Sequence, residues 1–171
     1  MEINLFHGTT KQNSDKLINS SFRRPVDPGD LGTGVYAFLN DKTLAFEFAR
    51  RYSSDVSILK LTLKKELTDD EVLDLDDEDN LKYFLEIREK ILTVAIGRIE
   101  KSNSKRNCID GVVVDYLLKD FPQVALVKKR TYTPLLAHKI NGRPLISNYY
   151  NGCEVCIRKI DLIDKELVQD G

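Results

Sequence analysis

The sequence predicts an α+β fold for a single domain that spans residues 1–171. Segments with the composition of strands lie near both ends of the chain, and a long helical segment near the middle separates them. Strands and helices do not alternate regularly, as they would around a parallel sheet. The glycine-rich segment at residues 29–34 comes before a predicted strand, whereas a dinucleotide fold of the Rossmann type carries its glycines after one.

Apolar periodicity predicts three strands and three helices in the first hundred residues. The strands cover residues 2–6, 35–39 and 56–63, and the helices cover residues 11–20, 42–52 and 80–100. Asp41 is expected to cap the second helix, whose apolar residues recur on one face. Prolines and glycines predict a loop over residues 21–34. The acidic stretch at 67–79 is expected to be irregular, with a short extended piece at 72–75.

The second half of the chain predicts mainly strands and loops. We expect a basic turn at residues 101–107, strands at 109–116, 124–128 and 154–160, and a loop at 138–152. An apolar tail follows the last of these strands.

Composition excludes several classes of protein. The formal net charge of −1 gives no overall field that would recruit nucleic acid or an anionic membrane, although a local patch could still hold a nucleic acid. No apolar run approaches the roughly 20 residues that cross a bilayer, so no membrane partner is expected. The N-terminus does not resemble a signal peptide, and three cysteines are too few for a disulfide scaffold, so we expect a cytoplasmic protein. Cys153 and Cys156 would face opposite sides of a strand, so no metal site is expected.

The first motif with chemical content is His7-Gly8-Thr9, at the end of the first predicted strand. Gly8 permits a flat ligand to approach the backbone closely, and a carboxamide needs the N–H and C=O that the backbone offers there. His7 can bond a ribose hydroxyl, and Thr9 adds a hydroxyl group. The same three residues also suit an ordinary turn after a strand.

The second motif is the glycine-rich segment and the strand that follows it. Gly32 and Gly34 would let the loop fold over a ligand, and Tyr36 would present its ring to that ligand. Phe48 or Phe46 on the next helix could provide a second aromatic face for a cationic ring. Upstream of this motif, two arginines could bind a diphosphate: Arg23 and Arg24. A glycine-rich connection between core elements is the alternative interpretation.

Together these motifs resemble the NAD-binding half of the ADP-ribosyltransferase superfamily. The resemblance is strongest to the His-Tyr-Glu branch, which includes diphtheria toxin and the poly(ADP-ribose) polymerases, in its compact bacterial form. It implies a split β-sheet cleft with flanking helices, and NAD as co-substrate without a metal. It also implies that His7 bonds a ribose hydroxyl, that the Gly8 backbone holds the carboxamide, and that Tyr36 stacks on nicotinamide.

The resemblance requires a glutamate on a late strand, and Glu154 is the candidate. Its carboxylate would stabilise the positive charge that builds on C1′ of the ribose as neutral nicotinamide leaves. Gln123, before another predicted strand, is a rival for this position, and it would keep the hydrogen bond but lose the charge.

The implied activity is mono-ADP-ribosylation of a protein or nucleic acid, in a toxin or defence effector that an antitoxin could neutralise. Arginine-modifying relatives carry Glu or Gln two residues before the catalytic glutamate, and Gly152 stands there in this chain. Arginine is therefore not the expected acceptor. An NAD glycohydrolase, or an inactive module that binds NAD, ADP-ribose or a partner, is the alternative.

Overall fold

A computed structural model describes residues 4–100, 109–135, 139–145 and 147–168. The helices are α1 (Lys11–Ile18), α2 (Lys42–Ala49), α3 (Glu78–Glu100) and α4 (Asp110–Leu117). The strands are β1 (Leu5–Thr10), β2 (Val35–Leu39), β3 (Val56–Leu63), β4 (Val72–Asp74), β5 (Leu126–Thr131), β6 (Lys139–Ile140), β7 (Arg143–Pro144), β8 (Gly152–Ile157) and β9 (Ile163–Leu167). Mixed helices and strands confirm the α+β prediction.

Seven of these strands form one sheet in the order β4-β5-β8-β2-β1-β3-β9, and β6 pairs with β7 separately. Neighbouring strands are antiparallel except β4 and β5, which are parallel. The split β-sheet cleft that the resemblance implies stays a prediction; in this sheet β1 and β2 pair at only two positions, Leu5 with Leu39 and Phe6 with Phe38. Strand β8 pairs with β2 on one side and with β5 on the other, so it joins both halves of the sheet.

Helices cover parts of both faces of the sheet. Helices α3 and α4 bury apolar residues with β4, β5 and β8 in one cluster. Helix α2 packs on β1, β2 and β3 through a second cluster around Leu44 and Ala45. A third cluster, on the opposite face, contains Phe22 and packs against Leu17 of α1. The capping prediction for α2 is confirmed, because the N–H of Leu44 donates to Oδ1 of Asp41 at 2.8 Å.

The prediction of a strand at residues 109–116 is wrong, because this segment is helix α4. Its valines favour strands locally, but they are fully buried against α3 and the sheet, and this packing outweighs the local preference. Gly111 brings the helix against the glycine-rich loop, since a Cβ there would lie 1.7 Å from the carbonyl oxygen of Gly29.

Other elements differ from the prediction in extent. Strand β1 extends to Thr10, so the His7-Gly8-Thr9 motif lies within the strand. The expected apolar tail forms β9, which pairs with β3, and the expected loop at 138–152 contains the β6–β7 hairpin. The predicted turn at residues 101–107 lies outside the described residues. Within the part of the chain that the structure describes, no helix is both long and apolar enough to cross a membrane.

Candidate NAD-binding cleft

The main candidate site is a cleft of about 770 Å³ beside the centre of the sheet. It brings together five of the residues that the sequence proposed for a site: His7, Gly8, Tyr36, Phe48 and Glu154. The rest of its lining comes from β1, from β2 and the segment before it, from the residues that follow α2, and from the segment after β5. These residues are Phe6, Pro25, Asp27, Pro28, Gly29, Asp30, Ala37, Phe38, Arg51, Tyr52, Tyr132, Thr133 and Pro134.

The cleft borders the place where β1 and β2 separate. Their pairing ends at Phe6 and Phe38, whereas β1 continues along β3 to Thr10. The carbonyl of Asn4 accepts from the N–H of Asn40 at 2.7 Å, so Asn4 directs its backbone groups toward β2. Successive residues of a strand direct their N–H and C=O to opposite sides, so Gly8, four residues after Asn4, also directs these groups toward β2. Gly8 therefore presents an adjacent donor and acceptor where the ladder to β2 has ended.

His7 lies at this opening with its tautomer defined. Its Nδ1 is 2.7 Å from the carbonyl oxygen of Tyr36, which can only accept, so Nδ1 carries the proton and Nε2 is a hydrogen-bond acceptor. The edge contact with the Phe22 ring, at 5.4 Å between centroids, holds the imidazole in place. Burial lowers the pKa of His7, against the opposing effect of the Tyr36 carbonyl, and so favours the neutral ring. A neutral imidazole with an accepting Nε2 suits a ribose hydroxyl.

Tyr36 contributes a ring whose hydroxyl group is already satisfied. The hydroxyl donates to the Gly32 carbonyl and accepts from the Leu31 N–H, both at 2.8 Å. A Cβ at Gly29 would lie 2.4 Å from the hydroxyl oxygen, so this glycine lets the loop close over the ring. Burial, the largest effect, raises the pKa of Tyr36 well above its usual value near 10.0. The phenol thus remains neutral, and it serves the cleft as an aromatic surface and not as an acid or base.

Glu154 lies on β8, opposite Phe38 of β2, and lines the same cleft as His7 and Tyr36. Its Oε1 accepts a hydrogen bond from Oγ1 of Thr133 at 3.1 Å. Gln123 lies before β5, outside the lining of the cleft, and its backbone carbonyl accepts a hydrogen bond from Nζ of Lys159. Of the two rivals for the third position, Glu154 is the one in the cleft.

Phe48, and not Phe46, is the aromatic residue of α2 that lines the cleft. The Phe48 ring contacts the ring of Tyr52 at 5.7 Å between centroids, and the guanidinium of Arg51 lies 5.1 Å from its centroid. Arg51 also donates to the carbonyl of Pro134, which ties α2 to the segment after β5. Phe46 is exposed, and Arg50 lies over it.

Five residues proposed for NAD binding lie outside the lining of the cleft: Thr9, Arg23, Arg24, Gly32 and Gly34. Thr9 pairs with Ser57 in the ladder between β1 and β3. Arg24 donates to the carbonyl of Arg158 at 3.3 Å. The expectation that these residues contact the ligand stays a prediction, and the lining of the cleft does not support it.

The two glycines have packing roles. Gly32 adopts a φ of +90°, and a Cβ there would lie 2.8 Å from Oδ1 of Asp115 on α4. A Cβ at Gly34 would lie 2.5 Å from the carbonyl oxygen of Ile157. Both glycines thus hold the loop against the protein, and the part of the loop that borders the cleft lies before them, at Pro25, Asp27 and Pro28-Gly29-Asp30.

Sequence reasoning missed Thr133, Asn151 and Arg51. Thr133 is 2% exposed, and the side-chain amide of Asn151 bonds both its N–H and its C=O at 2.8 Å. No periodicity or motif marks these residues, since a side-chain contact between two loops leaves no local pattern in the sequence. For Arg51 the sequence did contain a signal, because it follows Phe48 by three residues, which is about one helical turn.

Among the described residues, no group of three or more His, Cys, Asp and Glu side chains could hold a metal ion. Comparisons of the chain with protein-family models, with curated proteins and with solved structures found no match. The geometry of the cleft is therefore the basis for assigning a function.

Proposed function

We propose that this chain is an ADP-ribosyltransferase, with the corresponding fold, that moves ADP-ribose from NAD to a macromolecular acceptor and releases nicotinamide. The observation that carries this proposal is that His7, Tyr36 and Glu154, far apart in sequence, line one cleft. The cleft volume of about 770 Å³ lies in the range of small-molecule sites.

The residues of the cleft fit the nicotinamide riboside half of NAD. The backbone of Gly8 offers a donor and an acceptor for a carboxamide, and Tyr36 and Phe48 offer aromatic surfaces for the cationic ring. Nε2 of His7 would accept a hydrogen bond from a ribose hydroxyl. Asp27 and Asp30, which also line the cleft, favour a positively charged group.

The chemistry requires little more than a well-placed carboxylate. As the bond between C1′ and nicotinamide breaks, its electron pair moves to the ring nitrogen, so the leaving group departs neutral and needs no acid. Glu154 would stabilise the positive charge that remains on the ribose. The acceptor then bonds to C1′ and gives up its proton.

The environment of Gly152 supports an acceptor other than arginine. A Cβ at this position would lie 2.1 Å from Cδ1 of Leu44 on α2, so a larger residue here would displace the end of the Leu44 side chain. Gly152 itself supplies neither the carboxylate nor the amide that arginine-modifying relatives place two residues before the catalytic glutamate.

Release of nicotinamide from NAD, with and without a bacterial lysate, tests the proposal. Glu154→Gln should slow release a hundredfold or more, while NAD affinity stays within about tenfold, because the charge acts mainly on the transition state. Glu89→Gln, at a glutamate on α3 whose side chain is 71% exposed, is the matched control and should behave as the parent protein does.

The pattern of release separates the alternatives. Release that needs lysate and labels a macromolecule indicates transfer, whereas equal release without lysate indicates a glycohydrolase. NAD binding without release would indicate a binding module and contradict the proposal. Full turnover by Glu154→Gln would show that another group stabilises the transition state.

A further inference from the structure

We infer that Thr133 is a positioning residue for the Glu154 carboxylate and that Asn151 holds Thr133 in place. This inference rests on the proposed function and adds to it two residues that neither the motifs nor the resemblance identified. It is carried by three hydrogen bonds at the wall of the cleft: one joins the side chains of Thr133 and Glu154, and two join the Asn151 side chain to the backbone of Thr133.

The first step concerns Glu154 itself. A glutamate side chain has several rotatable bonds, and ordering it costs up to about 2 kcal/mol of conformational entropy. Stabilisation of a developing charge requires donors and charges that are already in place before the reaction. The Oγ1 of Thr133 donates to Oε1 of Glu154 at 3.1 Å and so restricts the carboxylate.

The second step concerns Thr133, which lies two residues beyond the end of β5 and therefore outside the sheet ladder. Its side chain is branched at Cβ and 2% exposed, so few rotamers are open to it. A buried hydroxyl that donates to a carboxylate makes a charge-assisted hydrogen bond, which is stronger than a neutral one.

The third step explains what holds this segment without a strand partner. Oδ1 of Asn151 accepts from the Thr133 N–H and Nδ2 donates to the Thr133 carbonyl, both at 2.8 Å. The amide thus replaces the two hydrogen bonds of a missing strand neighbour. Asn151 is itself fixed, because its N–H donates to the carbonyl of Thr131 at 3.0 Å.

These bonds close into a loop that begins and ends at β8. Asn151 directly precedes β8 and Glu154 lies on it, so the strand that carries the carboxylate also carries the group that holds its hydrogen-bond donor. Tyr132 and Pro134, on either side of Thr133, line the cleft as well. A shift of this segment would therefore move the wall of the cleft and the donor together.

The test compares Thr133→Val, Thr133→Ser and Thr131→Val in the full chain. Valine keeps the shape of threonine and removes the donor, so kcat for nicotinamide release should fall about tenfold to a hundredfold, with KM for NAD within about threefold. Serine restores the hydroxyl and should recover most of kcat. Thr131→Val is the matched control, because no described residue hydrogen-bonds the buried Oγ1 of Thr131, and it should leave kcat unchanged.

A pH profile gives a measurement that a purely structural role would not move. Loss of the donor destabilises the ionised carboxylate, so in Thr133→Val the acidic limb of the kcat profile should shift to higher pH. Carbon NMR of the labelled Glu154 carboxyl should show the same upward shift in pKa without reference to turnover. Circular dichroism establishes that each variant is folded.

The outcomes distinguish this inference from the function on which it rests. An active parent with an equally active Thr133→Val, or an unshifted acidic limb, overturns the positioning role and leaves the proposed function intact. If Thr133→Val is unfolded, Thr133→Ala, which also removes the hydroxyl, takes its place: a lower kcat than Thr133→Ser with a raised Glu154 pKa supports the inference, and the kcat of the parent overturns it. A parent that binds NAD without releasing nicotinamide overturns both.

Discussion

Replacement of Gly8 by alanine should destabilise the protein strongly, because helix α2 packs directly on this glycine. A Cβ at Gly8 would lie 2.0 Å from the carbonyl oxygen of Ala45 and 2.9 Å from Cβ of Ala49. The closest atom belongs to the backbone, which cannot rotate away, so α2 must move outward by about 1 Å to restore van der Waals contact. Overpacking of this kind costs about 1–3 kcal/mol, and we expect a value near the top of that range.

Gly97→Ala is the matched control. Gly97 lies in α3, and a Cβ there would meet no described atom within 4 Å. The same substitution should therefore stabilise the protein by about 0.5–1 kcal/mol, since alanine favours a helix over glycine. The two variants should differ by about 3–4 kcal/mol in the free energy of unfolding.

Urea denaturation followed by circular dichroism measures this difference, and similar m-values would show that the unfolding transition is comparable. Because Phe48 lies on α2, Gly8→Ala should also weaken NAD binding, measured by calorimetry. A Gly8→Ala variant within 1 kcal/mol of the parent would refute the packing argument.

Three further variants test the buried polar groups. Burial lowers the pKa of His7 below its usual 6.5, so the unfolded chain binds the proton first as pH falls. The free energy of unfolding should therefore drop between pH 7.5 and 5, by at most about 1.4 kcal/mol per pH unit, and urea denaturation should show a smaller drop for His7→Asn. In the parent protein, a guanidinium nitrogen of the largely buried Arg158 lies 2.8 Å from Oδ1 of Asp115. Asp115→Ala removes this partner and should lower the free energy of unfolding by about 3 kcal/mol; a thermal melt unchanged from the parent would contradict this. Asn151→Ala leaves the N–H and C=O of Thr133 without their partner and should lower the free energy of unfolding by about 2 kcal/mol or more. Urea denaturation should show a lower midpoint, and an unaltered midpoint would show that water replaces the amide.

Local sequence signals predicted the elements whose stability depends on neighbours along the chain. Strand β2 and strand β3 have the predicted bounds, and α3 differs from its predicted start by two residues. Asp41 caps α2 as expected. Caps and apolar periodicity act within a few residues, so a single sequence contains them in full.

The errors occur where distant contacts outweigh local preference. The valines of α4 favour a strand, but the helix buries them between α3 and the sheet, with Gly111 against Gly29. Strand β9 was predicted only as an apolar tail, because nothing near it in sequence shows that β3 offers it a free edge.

For the candidate site, the sequence by itself specified residue types: an imidazole and a glycine in β1, a tyrosine in β2 and a carboxylate in β8. Their meeting in one cleft depends on β8 pairing between β2 and β5, and on β1 leaving β2 after Phe6. The same long-range pairing turns Gly32 and Gly34 away from the cleft and sets Thr133 beside Glu154. Contacts across a sheet join residues that share no local pattern, so only the folded chain shows which polar groups meet.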